Sequence, residues 1–360
     1  MDSIRNNYPA LANFTYLNSC STGLFSNTVL TFRKQLDESY QQKASNFRAG
    51  VYDTIKEIKA TAADTFGATA ERTSLIPSCS HGINMILDAL ANGQKVLHFK
   101  DDYPSIMWPF ESRNFNCVTV ENESFSEAEL LQHIQEQQAD ILAVSVVQYS
   151  TGEVIAEQTF RAIKEAFPNL LIIVDATQFW GIAPFNFQES GIDLFAASSF
   201  KWLCAGYGNG AMFISEQLAG VLHSRTIGYN TYKKPVREGT PTLGAFFEPG
   251  HQDLFVFKTL QHQIQQHNEI GFDKIQAQIK KVKTYAREKI ASETPFKVLT
   301  SINPKMEAGI LAVEAPKALV RHLNQNQIIC SYKVGLRLGI HFYNNFEDID
   351  RLIEGMKSYS

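Results

Sequence analysis

The stretch Leu170-Leu171-Ile172-Ile173-Val174-Asp175 decides the fold class of this chain. It is a short run of branched apolar residues that ends in a carboxylate, which is typical of a strand buried on both faces of a parallel sheet. A second such run, residues 192–197, leads into Ser198-Ser199-Phe200-Lys201-Trp202. Because ligands bind beyond the carboxyl ends of the strands in open α/β sheets, Asp175 and Lys201 are candidates for one site.

The same succession of strand, loop and helix extends over much of the chain. Apolar runs at residues 73–77, 95–99 and 141–147 predict further strands, and helical periodicity marks residues 27–40, 52–66, 83–91, 125–138 and 159–167. This alternation predicts a mainly parallel sheet with helices on both faces. The glycines of Gly206-Tyr207-Gly208-Asn209-Gly210 predict a tight turn into a returning strand at 211–214, beside Lys201.

The C-terminal part of the chain has a different character. Residues 222–250 are rich in Gly and Pro, and long helices are predicted at 253–270 and 273–290. Beyond Pro295, short strand-like runs alternate with two helices, which predicts a small α+β unit. We therefore expect an α/β protein with a large sheet domain over residues 18–274 and a small C-terminal domain over residues 275–360, to which residues 1–17 belong.

The composition is that of an ordinary globular protein. The 360 residues are 44% hydrophobic and 19% charged, and the net charge of −4 gives no reason to expect nucleic acid or a membrane surface as a partner. No apolar run reaches membrane-spanning length, and Met1 is followed by polar residues, so we expect a cytoplasmic chain. The five scattered cysteines predict neither a metal site nor a disulfide framework.

A Lys at the mouth of a buried sheet with an Asp beside it favours one chemistry. Pyridoxal phosphate (PLP) needs a Lys to form its Schiff base and an acid that keeps the pyridine nitrogen protonated. The protonated ring then serves as an electron sink for the α-carbon of the substrate. Taken singly, Asp175 could equally cap a turn, and Lys201 could be a solvated loop residue.

Three loops carry weaker signals. The small residues Ser78-Cys79-Ser80-His81-Gly82 precede a helix and could bind an anion, although Ser80 could also be a plain N-cap. Tyr103 follows a strand and could lie flat on a planar ring, or be a half-buried loop aromatic. The loop Asn18-Ser19-Cys20-Ser21-Thr22-Gly23 could approach a ligand, but a surface turn is the simpler interpretation.

Taken together, these motifs resemble the class V aminotransferase family of fold-type I PLP enzymes, which includes cysteine desulfurases, selenocysteine lyases, isopenicillin N epimerase and kynureninase. The similar segments are Val174-Asp175-Ala176-Thr177-Gln178, the run 198–203, the glycine-rich turn 206–210, the loop 18–23 and the arginine motif Leu336-Arg337-Leu338-Gly339-Ile340. The resemblance covers nearly the whole chain.

The resemblance implies a role for each matching position. Lys201 would form the Schiff base, and Arg337 would bind a substrate carboxylate with the paired geometry that its guanidinium supplies. Asn18 and Ser19 would belong to the substrate loop. The implied cofactor contacts are Asp175 at the ring nitrogen, Gln178 at the phenolic oxygen, Tyr103 on the ring face, Ser80, His81 and Ser198 at the phosphate, and Gly250 from the partner subunit of a homodimer.

Three positions depart from the pattern of the desulfurases. Phe200 stands where these enzymes usually carry His, and His251 stands where many members have a Thr that reaches the phosphate. Desulfurases also have a nucleophilic Cys on a mobile loop, whereas Cys330 lies inside an apparent strand and is better interpreted as a small buried residue.

The sequence therefore predicts a PLP-dependent, aminotransferase-like enzyme acting on a small amino acid. A cysteine desulfurase or selenocysteine lyase is an alternative, and a non-catalytic protein of the same fold is another. The substrate side chain, and the choice among transamination, elimination, desulfuration and racemisation, stay open. We expect a homodimer with the site at the interface, and the apolar residues of the helix at 253–270 as part of that interface.

Overall fold

The computed structural model describes residues 2–121, 126–223, 226–233, 243–303 and 305–359. The strands in these ranges are β1 (Thr15–Tyr16), β2 (Thr73–Ile76), β3 (Lys95–Phe99), β4 (Asn116–Val120), β5 (Ile141–Ser145), β6 (Leu171–Asp175), β7 (Leu194–Ser198), β8 (Gly210–Ile214), β9 (Lys297–Val298), β10 (Ile310–Glu314), β11 (Ile328–Ile329), β12 (Ser331–Tyr332) and β13 (Leu336–Gly339).

The helices surround these strands and follow the predicted segments closely. They are α1 (Asp2–Arg5), α2 (Asn27–Lys43), α3 (Val51–Thr65), α4 (Cys79–Ala89), α5 (Pro104–Glu111), α6 (Glu127–Gln137), α7 (Glu157–Ala166), α8 (Glu216–Ala219), α9 (Tyr229–Lys233), α10 (Leu243–Phe247), α11 (Leu254–Ile270), α12 (Phe272–Glu293), α13 (Lys317–Gln325) and α14 (Phe346–Lys357). Within the described ranges, no helix is long and apolar enough to cross a membrane.

The large sheet has seven strands in the order β2-β8-β7-β6-β5-β3-β4. β8 pairs antiparallel with both of its neighbours, and the other pairs of the sheet are parallel. The prediction of a mainly parallel sheet is therefore confirmed, as is the returning strand beside Lys201. The carboxyl ends of β5, β6 and β7 lie side by side, since Asp175 is opposite Ser145 on one side and Ala196 on the other.

Alternate residues of each central strand enter different cores. In β6, Ile172 and Val174 face a core formed with α3, α6, α7 and α11, whereas Leu171 and Ile173 face one formed with α4 and α5. Both faces of the sheet are thus covered by helices, which explains why its strands are continuous apolar runs. Burying one such Leu or Ile contributes about 1.5–3 kcal/mol to folding.

The apolar stripe of α11 lies inside the chain. Phe257, Leu260 and Ile264 are buried against the large sheet core, and α11 packs on α2 and α3. The prediction that the apolar residues of this helix offer a surface to a second subunit is therefore wrong for these three, and it stays a prediction for Leu254 and Phe255, which are partly exposed. An apolar helical stripe shows only that one face is covered, and here the chain's own sheet covers it.

Several elements of the large sheet region were not predicted from the sequence, namely the short helices α8, α9 and α10, strand β4 and helix α5. β4 is an edge strand with partly exposed residues that pairs with β3, so it lacks the apolar run of a central strand. α5 begins at Pro104, a favourable first helical residue, but Pro109 lies inside it. Because an internal Pro normally argues against a helix, the sequence of residues 104–111 favours a loop instead.

The C-terminal strands form a second sheet in the order β12-β13-β10-β9, which is antiparallel throughout. The N-terminal β1 pairs with β11 of this region. α12 joins the two regions, because Ile275 and Ile279 enter the core of the large sheet while Val282 and Ile290 enter the core of the small one. The division of the chain into domains at residue 275 stays a prediction.

Candidate cofactor and substrate site

Lys201 lies in the turn that follows β7, beside the carboxyl end of β6. Its side chain is buried, with 8% of its surface exposed. The Nζ atom lies 5.7 Å from the ring centroid of Tyr103 and 5.5 Å from that of Phe200. The Phe200 ring in turn stacks on Tyr207 at a centroid distance of 4.7 Å. Lys201 is thus held in an aromatic pocket at the edge of the sheet.

The surroundings of Lys201 make its amine a better nucleophile than an exposed lysine. Burial lowers the pKa of the Lys201 ammonium, the carboxylate of Asp175 opposes this shift, and the guanidinium of Arg337 adds to it. A lowered pKa raises the fraction of neutral amine, which is the form that attacks a carbonyl. Asp175 and Arg337 are thus near enough to Lys201 to affect its charge.

Asp175 is buried at the end of β6 and is oriented by backbone contacts. Its Oδ1 accepts a hydrogen bond of 2.8 Å from the backbone N–H of Thr177. The hydroxyl of Thr177 accepts a further bond of 3.2 Å from the backbone N–H of Ser198, so the ends of β6 and β7 are tied together. This arrangement leaves the carboxylate able to face a protonated ring nitrogen.

The turn before α4 lies against the same edge. Ser78 is the N-cap of α4 and accepts from the backbone N–H of His81 at 3.4 Å, so the alternative interpretation of Ser80 as the N-cap is wrong. The Ser80 hydroxyl lies 2.8 Å from that of Ser105, and Ser198 Oγ accepts from the backbone N–H of Cys79 at 2.9 Å. A helix start with two nearby hydroxyls is suited to an anion such as phosphate.

Arg337 is buried in β13, and the protein orients its guanidinium. Its Nη1 donates to the carbonyl of Tyr149 at 2.6 Å, its Nη2 to the hydroxyl of Ser21 at 2.9 Å, and its Nε to the hydroxyl of Ser331 at 3.0 Å. Ser21 in turn donates to Asn18 Oδ1 at 2.8 Å. The arginine motif and the N-terminal loop therefore form one unit.

The N-terminal loop is not a surface turn. It packs on the turn of the lysine, because the backbone N–H of Gly23 donates to the carbonyl of Phe200 at 2.9 Å, and a Cβ at Gly23 would lie 1.9 Å from the carbonyl oxygen of Lys201. Ser19 is buried, and its hydroxyl lies 2.7 Å from that of Tyr343. The substrate role given to Ser19 stays a prediction, as does that of Asn18.

Gln178 lies between the loop and the turn that follows the lysine. Its Nε2 donates to the carbonyl of Cys20 at 2.9 Å, and its Oε1 accepts from the indole of Trp202 at 3.0 Å. The structure thus gathers Lys201, Asp175 and Gln178 at the edge where the sequence predicted them to meet.

Gly250 lies elsewhere in the chain. It lines a cavity of about 480 Å³ together with Phe47, Tyr52, His251 and Phe255, and its carbonyl accepts from Asn230 Nδ2 at 2.9 Å. The lining of this cavity does not include Lys201. The predicted contact of Gly250 with a cofactor in the partner subunit stays a prediction.

Asp102 is a buried acid of the site that the sequence motifs did not single out. Its carboxylate accepts from the backbone N–H of Tyr103 at 2.6 Å and from that of Ser145 at 2.8 Å. Burial raises the pKa of this carboxyl, and the hydrogen bonds oppose the shift. Asp102 therefore joins the end of β3 to β5 and sets the position of Tyr103. Its position in the sequence, after a buried strand and directly before Tyr103, is the feature from which Asp102 could have been recognised as a site residue.

Cys330 lies between the short strands β11 and β12, so the prediction that it lies inside a strand is wrong, whereas the prediction that it is buried is confirmed. It is buried, and its backbone N–H donates to Asn324 Oδ1 at 2.9 Å. Burial raises the pKa of its thiol to about 12, with the nearby Cys20 adding to the shift. Such a thiol is almost entirely protonated near neutral pH and is a poor nucleophile.

The comparison with known proteins agrees with this geometry. A family model described as aminotransferase class-V matches residues 15–352. An uncharacterized aminotransferase, YcbU of Bacillus subtilis (strain 168), is 23% identical over 363 residues, which are 98% of this chain and 96% of that protein. Isopenicillin N epimerase of Amycolatopsis lactamdurans is 24% identical over 328 residues, or 82% of each chain.

Among solved structures, a mutant of C-DES with glycine covalently linked to its PLP cofactor superposes with a TM-score of 0.89 and 18% identity, over 99% of both chains. This likeness confirms the predicted fold. The match of the family model over nearly the whole length identifies the family as well, and the chain belongs to the class V aminotransferases.

Proposed function

We propose that this protein is a PLP-dependent enzyme that acts at the α-carbon of a small amino acid. The observation that carries this proposal is the buried Lys201, which lies beside Asp175 at the edge of the large sheet, with the Tyr103 ring 5.7 Å from its Nζ and Arg337 of β13 near enough to act on its charge. Membership of the class V aminotransferases supports it. A non-catalytic protein of the same fold would have no need to keep a buried lysine beside a buried acid and a buried arginine.

The groups at this edge fit the cofactor. Asp175 would hold the ring nitrogen, Tyr103 the ring face, and Gln178 the phenolic oxygen. Ser80 and Ser198 would hold the phosphate beside the N-terminus of α4. When bound, PLP supplies a protonated ring that withdraws electrons from the α-carbon of the substrate.

The remaining steps belong to side chains of this protein. Arg337 would bind the substrate carboxylate, since two of its five N–H groups are not used by Ser331, Tyr149 and Ser21. The Nζ of Lys201, with its lowered pKa, would take up the proton of the α-carbon and return it. The aromatic rings of Phe200 and Tyr103 would keep water away from this amine.

The test is the attachment of the cofactor to Lys201. Protein incubated with PLP is expected to show a visible absorption band, and borohydride is expected to fix the cofactor to the peptide that contains Lys201. Lys201→Ala should lose both the band and the modified peptide, whereas Lys100→Ala, at an exposed surface pair with Glu121, should keep them. Cofactor trapped in the Lys201→Ala protein would show that another lysine holds it.

The desulfurase alternative is consistent with the family, but the position of Cys330 argues against that residue as its nucleophile. A desulfurase needs a thiolate that can reach the substrate sulfur from an accessible position. Cys330 has 4% of its surface exposed, and its thiol has a raised pKa. We therefore prefer aminotransferase-like chemistry over sulfur release at this site.

We also propose a homodimer, a cytoplasmic location and a domain boundary near residue 275. The dimer is supported by large apolar side chains that are exposed on α2 and α3, namely Leu30, Tyr40 and Tyr52, the last of which lines the same cavity as Gly250. All five cysteines are free, which is in keeping with a reducing compartment.

A further inference from the structure

Trp202, the residue directly after Lys201, reaches back into the site from the protein core. Its side chain is fully buried. The indole Nε1–H donates to Oε1 of Gln178 at 3.0 Å, although the two residues are 24 positions apart in sequence. On the other side of the same amide, Nε2 of Gln178 donates to the carbonyl of Cys20 at 2.9 Å.

These two partners permit one orientation of the Gln178 amide. An indole N–H can only donate a hydrogen bond and a backbone carbonyl can only accept one. The atom of Gln178 that faces Trp202 must therefore be the oxygen, and the atom that faces Cys20 must be the nitrogen. In the described part of the chain, the second N–H of Nε2 has no acceptor, so it is available to a ligand.

Trp202 is itself held firmly. Its backbone carbonyl accepts a hydrogen bond from Nε2 of His341 at 2.9 Å and lies 3.0 Å from Nε2 of His267, whose Nδ1 lies 2.8 Å from the carbonyl oxygen of Gln263. Nδ1 of His341 accepts from the backbone N–H of Phe342 at 3.0 Å, so the proton of the neutral ring is on Nε2.

The indole ring is enclosed on two sides. The His341 ring stacks on it at 5.5 Å with an interplanar angle of 11°. On another side lies Gly309, where an added Cβ would come within 2.3 Å of the indole ring. The ring therefore has no room to turn its N–H away from Gln178.

We propose that Trp202 is a positioning residue, which fixes the Gln178 amide so that it donates a hydrogen bond to the phenolic oxygen of the cofactor. This inference rests on the proposed function, in which Gln178 faces that oxygen. A flipped amide would place its own oxygen against the phenolic oxygen and repel it. With PLP bound, a hydrogen bond donated by Gln178 would stabilise the negative charge on the phenolic oxygen, and it would thereby lower the pH at which the Lys201 nitrogen beside it gives up its proton to solvent.

The test is a pH titration of the visible absorption band of the PLP-loaded protein. Trp202→Phe keeps an aromatic ring and removes the N–H. We expect the midpoint to rise by about one pH unit, the size of one hydrogen bond to an anionic oxygen. Gln178→Met should raise it similarly, and the double variant should show no further rise, because Trp202 is proposed to act on the phenolic oxygen only through Gln178.

The matched control is Trp180→Phe. Trp180 is also buried, and in the described residues its indole nitrogen has no hydrogen-bond partner. This variant should titrate like the parent. If Trp202→Phe also titrates like the parent, or if its midpoint falls, the inference is wrong.

Failure of a variant to fold and failure of the parent protein to bind PLP can each be distinguished from failure of the inference. If the Trp202→Phe chain does not fold, Gly309→Ala carries the test, since the new methyl group would displace the indole and should raise the midpoint. An unshifted midpoint in folded Gly309→Ala would then overturn the inference. A parent protein that takes up no PLP would instead refute the proposed function.

Discussion

At the scale of single residues, the site depends on charged groups that burial has removed from water. Lys201, Asp175 and Arg337 all have less than a tenth of their surface exposed. Removing such charges from water is costly, and proteins do so where the charges pair with one another or with a ligand. Asp175 is the clearest case, because its contacts hold it at the point where β6 and β7 end.

We predict that Asp175→Asn still binds PLP but loses most of its reactivity. A neutral amide cannot stabilise a ring proton as a carboxylate does, so exchange of the α-proton of L-alanine should slow on the order of a hundredfold. Deuterium incorporation from heavy water, followed by NMR, measures this rate. Asp88→Asn, at a surface pair with Arg113, should exchange at the parent rate. An unchanged rate in Asp175→Asn would remove Asp175 from this role.

At the scale of elements, two short segments complete the site from outside the large sheet. The loop at residues 18–23 is docked on β13, where the backbone N–H of Ser19 donates to the carbonyl of Gly339 at 3.3 Å. The same loop touches the turn of Lys201 through Gly23. The site is thus assembled where the N-terminal loop, β13 and the large sheet meet.

The close contact at Gly23 leads to a stability prediction. Gly23→Ala should destabilise the protein by about 1–3 kcal/mol, because the methyl group would collide with the backbone of Lys201. It should also weaken PLP binding. Gly220→Ala is the control, since its Cβ would meet its nearest neighbours at an ordinary 3.5 Å. Urea unfolding of the two variants measures the difference, and equal stability would show that the loop can move aside.

The position of Cys330 between β11 and β12 predicts that its thiol takes no part in the reaction. Cys330→Ser should keep most of the activity of the parent, and release of sulfide from cysteine by the parent should be slow. A sulfide assay on both proteins is sufficient. Rapid sulfide release that disappears in Cys330→Ser would favour the desulfurase alternative instead.

At the scale of the whole molecule, each active site of the proposed homodimer would contain residues from both chains. Gly250 lines a cavity apart from the Lys201 of its own chain, while the family resemblance gives it a contact with the cofactor of the partner. If both statements hold, each site takes Lys201 from one chain and Gly250 from the other.

We predict a dimer by sedimentation and complementation between two inactive variants. Lys201→Ala and Gly250→Trp should each be inactive alone. After mixing and subunit exchange they should regain part of the activity, because one of the two sites in a mixed dimer has both residues intact. A fully active monomer, or mixing without any recovery, would contradict the shared site.

The central strands of the large sheet and the residues at its edge could be predicted from the sequence. A buried parallel strand must be apolar along its length, so the runs that end in Asp175 and Ser198 could be recognised locally. The resemblance of the motifs then indicated the family, which the comparison confirmed. Edge strand β4 could not be recognised in the same way, because an exposed edge strand lacks a continuous apolar run. Helix α5 could not be recognised because Pro109, inside it, is a residue that normally ends a helix.

The groups that each buried side chain faces could not be predicted from the sequence, because they depend on how distant segments pack. The apolar stripe of α11 was recognisable, but not that the chain's own sheet covers it. Asp102 and Trp202 look unremarkable in sequence, and their roles come from contacts with Ser145 and Gln178 that the fold creates across long separations. The hydrophobic pattern of a sequence predicts which side chains are buried. The direction and the partner of a hydrogen bond depend instead on how distant segments pack together.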